Sequence, residues 1–426
     1  MNKIINFTIT HRFSDVQISD KEFHNLLTIL SWQRKPQFPL HGRTAWHILE
    51  KAAYPVLMPE LKLRAAKIKG IGLRSPEKLI QPTTKVFDEF ATYPHFGISH
   101  EGEFTQAFSE ITPYAGILHR RAIMEFESAK KLFKKGIPTI VPLAVIRYED
   151  QYQFRGEPMG AVVSLSSDIS YHRLSELQYG TAFCSYSDPD AKAYCYQFHK
   201  ALKIREEPSS EEARLRIINI LARQLGQLIH HFTEVGIYRY SSEWSNFSYD
   251  FERQKILLTD LDSSMPMDNL KQELRILHAM RDLCSLLYRT LSKFYTPQVV
   301  DSYTLSNLLS FNPILELLHG YFPKESLPQL EFVAKKLWGY FVPHFFLLKK
   351  YKHAIWNEWT VEQRKSYKMD HDLFYILVLT TLYPLFQKSD IFQLYPSGLT
   401  EENLLEKAKI YLGERYEYLL YLLDDL

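Results

Sequence analysis

One stretch constrains the fold more than any other: Ile229 to Ser264, IHHFTEVGIYRYSSEWSNFSYDFERQKILLTDLDSS, where the residue pattern changes character repeatedly within a short length. A helical apolar spacing through Leu215, Ile218, Leu221, Leu225, Leu228, Ile229 and Phe232 runs out at Gly236. A loop then carries Asn246, Asp250 to Arg253 reads as a turn, and Lys255 to Thr259 reads as a short apolar strand that delivers Asp260 at its end. An amide oxygen and a carboxylate on two arms of a hairpin can meet at one divalent ion, which suits metal and phosphate chemistry.

The chain has 426 residues, 46% apolar and 23% charged, enough for a large core and better suited to two lobes than to one. Its 51 basic and 49 acidic side chains leave a net charge of only +2, so no overall field argues for a nucleic-acid partner or an anionic membrane. Cys184, Cys195 and Cys284 are too scattered for a disulfide framework or a paired-cysteine zinc site, and a reducing, cytoplasmic setting is expected. The N-terminus, MNKIINFTITHRF, lacks the apolar core and cleavage site of a secretory signal. The apolar run Leu373 to Phe386 contains Pro384 and is shorter than the roughly 20 residues that span a bilayer, so it reads as a buried helix.

Residues 1–60 read as an N-terminal extension, with helical spacing over Phe23 to Trp32 and again over Thr44 to Ala53. Residues 61–166 read as a small mixed lobe with an insertion. Leu61 to Leu73 alternates as a strand and sets Lys67 and Lys69 on one face, either as phosphate ligands or as a solvated strand face. Pro76 to Ile111 shows no sustained period and is expected to be a long loop. Ile117 to Lys135 is a helix stopped by Gly136 and Pro138, and Ile140 to Arg147 and Ala161 to Leu165 are strands joined by a polar turn. Residues 167–426 read as a mainly helical lobe carrying the loop and the metal-binding residues. Ser209-Ser-Glu-Glu212 opens its first long helix as a cap, and five helical stretches follow Met267. His230 and His231, near a helix end, read as packing residues rather than ligands.

Three segments, taken in order, resemble the selenoprotein O family: Lys67-Ile-Lys-Gly-Ile-Gly72, Leu118-His-Arg-Arg-Ala-Ile-Met-Glu-Phe126 and Gly136-Ile-Pro-Thr139. That family consists of atypical kinase-fold proteins that transfer AMP from ATP to proteins. The resemblance implies an α+β, bilobal protein-kinase-like fold with a small mixed N-lobe and a large helical C-lobe, binding ATP and Mg2+ between the lobes. It further implies that Lys69 pairs with Glu125 to hold the phosphates and that Arg120 faces the nucleotide. Where the family is glycine-rich this chain reads Thr-Pro-Tyr-Ala-Gly116, so phosphate binding is expected to lean on Lys69, Arg74 and Arg120 instead of backbone amides.

Protein kinases place a catalytic aspartate five positions before the metal-binding asparagine. Counting back from Asn246 gives Ser241, with Arg239 at the histidine position; the residue directly before Asn246, acidic in selenoprotein O, is Ser245. The nearby carboxylate is Glu243, either a base or a loop cap. Asn246 and Asp260 are the candidate magnesium pair, and Asp262 either holds a second magnesium or caps the following turn. Three functions stay open. They are AMP transfer from ATP to a protein hydroxyl, phosphorylation of a small molecule or biosynthetic peptide, and a catalytically silent pseudokinase scaffold, for which Ser241 and Ser245 speak.

Overall fold

The computed structural model describes residues 4–39, 43–71, 94–108, 113, 116–150, 152–169, 172–177, 189–239, 242–294, 311–349 and 360–424. The chain divides into a sheet unit, Met1–Tyr93, Ser109–Tyr171 and Phe247–Met265, and a helical unit, Pro94–Phe108, His172–Asn246 and Pro266–Leu426.

In the sheet unit the strands are β1 (Phe7–Arg12), β2 (Val16–Gln17), β3 (Phe38–Pro39), β4 (Thr44–Pro55) and β5 (Leu63–Lys69). In the helical unit β6 (Pro94–Ile98) pairs with β7 (Phe104–Phe108). The sheet unit resumes with β8 (Ile117–Leu118), β9 (Val141–Tyr148), β10 (Gln153–Phe154) and β11 (Glu157–Ser166). Its main path runs β1-β9-β11-β5-β4-β2, antiparallel between neighbours. β5 is therefore central, with Lys67 between Trp46 and Ser164, and Lys69 between Thr44 and Val162. Helix α1 (Asp20–Leu30) is capped by Ser19, and α2 (His119–Lys134) stops before Gly136, whose φ of 73° is the left-handed turn a glycine takes most easily.

Two expectations are corrected here. Thr44 to Ala53 is strand rather than helix: Ala45, Trp46, Ile48, Leu49, Ala52 and Ala53 recur at three and four as in a helix, but pairing with β5, with a register shift between Ile48 and Ala53, overrides that local pattern. Residues 1–60 are not an extension, since β1, β2 and β4 are members of the same sheet as β5.

The sheet unit closes with a hairpin of β13 (Phe247–Asp250) and β14 (Lys255–Leu258), after β12 (Ile237–Tyr238) of the helical unit. Asp250 shapes its turn by accepting from the amides of Glu252 and Arg253 at 3.0 Å each, and Gln254 takes a φ of 51°. Thr139 bridges to Leu258, tying the hairpin to the segment after α2.

The helical unit contains α3 (Pro189–Ala201), α4 (Glu211–Glu234), α5 (Gln272–Phe294), α6 (Pro313–Tyr321), α7 (Leu327–Lys349), α8 (Val361–Lys388), α9 (Asp390–Leu394), α10 (Glu401–Leu412) and α11 (Tyr416–Asp424). Ser210 caps α4 by accepting from the Ala213 amide at 3.1 Å. α4 and α6 touch backbone to backbone at Gly226 and Gly320, where a Cβ on either would overlap a carbonyl oxygen of the other helix. The apolar run of α8, Leu373 to Phe386, is largely buried, and no helix among the described residues is long and apolar enough to cross a membrane. His230 packs edge-on against Tyr321, as a packing residue should. Within the stretch expected to be a long loop, β6 and β7 instead form a hairpin whose Phe96, Ile98 and Phe104 are buried. Strands of five residues, one of them interrupted by Gly97, are too short to show a period in sequence.

Candidate functional site

Side chains two apart in a strand point the same way, so β5 sets both Lys67 and Lys69 toward α2. There Glu125 divides its carboxylate between them, with Oε1 3.2 Å from Lys67 Nζ and Oε2 2.8 Å from Lys69 Nζ. Lys69 Nζ continues to Asp260 Oδ1 at 2.5 Å and Asp262 Oδ1 at 3.2 Å. Asp262 is gripped again by Arg43, Nη2 to Oδ2 at 2.6 Å, while Arg121 donates to its backbone carbonyl at 2.6 Å. Lys67 also donates to the Thr259 carbonyl, fastening the end of the hairpin beside Asp260. Every member of this cluster belongs to the sheet unit.

Burial acts against the charges of Glu125, Lys69, Arg43 and Arg121, and partners outweigh it at all of these but Arg121. It pushes the Glu125 carboxyl up, but Lys67 and Lys69 outweigh it and hold the group below the usual carboxylate range. It pushes the Lys69 ammonium down, but Asp260, Asp262 and Glu125 hold it raised. Arg43 is likewise held up by Asp262, Asp260 and Glu125 against its own desolvation, whereas burial prevails at Arg121, which is lowered. Carboxylate oxygens of Glu125, Asp260 and Asp262 lie within 4.8 Å of one another, an all-oxygen donor set of the kind a hard cation such as Mg2+ takes. Glu125 serves two ammonium groups and Asp262 serves Lys69 and Arg43, so Asp260, with its side chain 33% exposed, is the most open of the three to an ion.

The expected residues are distributed unevenly around this cluster. Lys69, Glu125, Asp260 and Asp262 converge in it. Arg120 does not share their arrangement: it is half exposed and held by Glu157 at 2.6 Å, while its neighbour Arg121 reaches the Asp262 turn. The helix explains the displacement, because residue 121 is four before Glu125 and shares its face, whereas residue 120 is five before. Arg74 and Ser241 lie outside the described residues. Asn246 ends a single 3-10 turn, Trp244–Asn246, at the close of a segment of the helical unit. The loop before it is fastened to α5 three times: the Arg239 amide donates to Asp282, Glu243 pairs with Arg289 at 2.9 Å, and Trp244 Nε1 donates to Thr290 at 3.0 Å. Glu243 is thus paired with a cation of α5.

Sequence reading passed over Arg43 and Arg121 as site residues and singled out Lys69 of the two lysines. For Arg121 the signal was present, in the spacing of four from Glu125. For Arg43 there was none, since it stands just before β4 and only strand pairing brings it beside β5.

No protein-family model matches the sequence, and no curated protein matches it. Among solved structures, it is similar to WaaP in complex with acyl carrier protein at a TM-score of 0.33 and 13% identity, over 62% of this chain and 88% of that one. It is also similar to a divergent kinase, lacking the glycine-rich loop, that regulates membrane ultrastructure of the Toxoplasma parasitophorous vacuole, at a TM-score of 0.30 and 14% identity, over 92% of this chain and 91% of that one. Scores this low carry neither a fold nor a residue role across to this chain.

Proposed function

We propose that this chain is an ATP- and Mg2+-dependent transferase on a bilobal, protein-kinase-like fold, moving AMP from ATP to a protein hydroxyl. The observation that carries the reading is the continuous ionic chain from Glu125 through Lys69 to Asp260. It joins a helix, a central strand and the residue after a hairpin, the three elements from which kinase-like proteins hold nucleotide phosphates and metal. In this reading Lys69 binds phosphate oxygens, Glu125 orients Lys69, and Asp260 with Asn246 and Asp262 holds the metal. Magnesium, when bound, neutralises and orients the phosphates. The acceptor oxygen forms a bond to the α-phosphorus, the bond from that phosphorus to the bridging oxygen breaks, pyrophosphate departs, and the acceptor proton passes to solvent.

Phosphoryl transfer to a small molecule or peptide is the second reading. Arg120, the residue AMP transfer was expected to place on the nucleotide, is engaged by Glu157 instead. Parallel incubation with ATP labelled at the α- or the γ-phosphate tests both. Label on an acceptor from the α-position is the expected result. Label from the γ-position alone would replace AMP transfer by phosphorylation. If neither labels and millimolar ATP with Mg2+ leaves the thermal midpoint unmoved, no nucleotide-dependent reading survives, because a ligand specific to the folded state must raise it.

A further inference from the structure

The carboxylate of Asp262 sits between two cations, Lys69 of β5 at Oδ1 and Arg43, just before β4, at Oδ2. A guanidinium fork and an ammonium converging on one planar anion form the donor arrangement that also suits a phosphate group. We infer that Arg43 is a polyphosphate ligand, and that Asp262 is the internal counter-ion with which a phosphate of a nucleotide or of pyrophosphate competes for it. This deepens the transferase reading and rests on it for the nucleotide, though not for the anion.

The local backbone supports the assignment. The Gly70 amide donates to the Arg43 carbonyl at 2.6 Å, which holds Arg43 beside the strand that carries Lys69. Gly70 itself has a φ of 109°, and a Cβ there would overlap the Gly160 carbonyl, so this close approach requires glycine. Release of the Asp262 carboxylate also leaves its turn anchored, because Arg121 holds its backbone carbonyl. On anion binding Arg43 exchanges one oxygen acceptor for another, and the freed carboxylate becomes available to a cation that accompanies the phosphates.

The test is calorimetric titration of the full chain with sodium pyrophosphate, and separately with ATP, in EDTA. Arg43→Ala should weaken pyrophosphate binding by about tenfold or more. Asp262→Asn, which removes the competing anion, should tighten it by a similar factor. A merely structural pair would weaken binding in both variants, so the opposite signs are the signature. Unchanged affinity in Arg43→Ala, or weaker affinity in Asp262→Asn, would overturn the inference even if wild type transfers AMP. Absence of pyrophosphate binding by wild type and by Asp262→Asn would overturn it equally. Pyrophosphate binding that depends on Arg43 in a protein that labels nothing from ATP would sustain it while removing the transferase reading.

Discussion

Lys69 in the sheet unit and Lys368 in the helical unit are both almost fully buried and both face carboxylates, yet they are driven in opposite directions. Lys69 is raised, because carboxylates of Asp260, Asp262 and Glu125 within 3.2 Å outweigh its desolvation. Lys368 is lowered, because burial prevails over Asp372, 3.5 Å away one helical turn on, and Arg281 and Arg289 add to the effect. Their partners mirror them: Glu125 is lowered and Asp372 raised. At Lys368 and Asp372 the attraction within the pair and the Tyr411 hydroxyl, which donates to Asp372 at 2.6 Å, do not offset desolvation. A cluster drawn from β5, α2, the hairpin and the residue before β4 keeps its charges ionised, which is what an anion or metal site requires.

The largest contrast should appear when the buried pairs are broken. Lys67→Met leaves the Thr259 carbonyl without this donor and Glu125 with less compensation, and should cost about 3–5 kcal/mol in urea unfolding. The double variant Lys368→Met, Asp372→Leu removes both charges together and should be neutral or stabilising by about 1–4 kcal/mol. Equal losses in the two experiments would erase the distinction between the units.

Lys69→Ala and Asp260→Ala should each lower labelling from ATP by about two to three orders of magnitude with the circular-dichroism spectrum retained. Full labelling in either variant would place the chemistry elsewhere.

Acid titration sharpens the comparison. His278, buried and stacked on Tyr238 at 4.0 Å, is pushed down to about 3 by burial, with Arg281 adding to the shift. A histidine whose folded pKa lies below its unfolded value binds its proton more readily when unfolded. Its neutral burial is therefore tolerated fully above about pH 6.5, and stability is lost at about 1.4 kcal/mol per pH unit between there and about 3. Glu125 is also lowered, so its contribution is present above the ordinary carboxylate range and fades only as pH falls through its depressed folded value. Comparing His278→Phe with wild type at pH 7 and pH 5 should show the variant's stability to be less acid-sensitive; parallel curves would show that His278 does not titrate as its surroundings require.

Arg120→Ala should do least. Its pair with Glu157 is half exposed, so the change in stability is expected within about 1 kcal/mol, and labelling should persist. Loss of labelling would return Arg120 to the nucleotide.

Much of the framework was legible in residue order. The α2 helix with its Gly136 stop, the Ser210 cap, the turn at Asp250 and the strand ending before Asp260 each follow from local pattern or turn chemistry, which acts over a few residues. The strand character of Thr44–Pro55 was not legible, because its apolar residues recur at helical spacing and a register shift between Ile48 and Ala53 interrupts its pairing with β5.

The sequence by itself determined which side chains were available to the cluster on β5, on α2 and after β14, because a strand's period of two and a helix's of 3.6 are properties of the chain. It also determined that residue 121 shares a helix face with Glu125. Only the tertiary structure decided that Arg43 meets Asp262, that Lys67 joins Glu125 to the Thr259 carbonyl, and that Arg120 turns to Glu157. Those contacts depend on which strands pair, in what register, and on where burial removes water from a charge, none of which any single segment encodes.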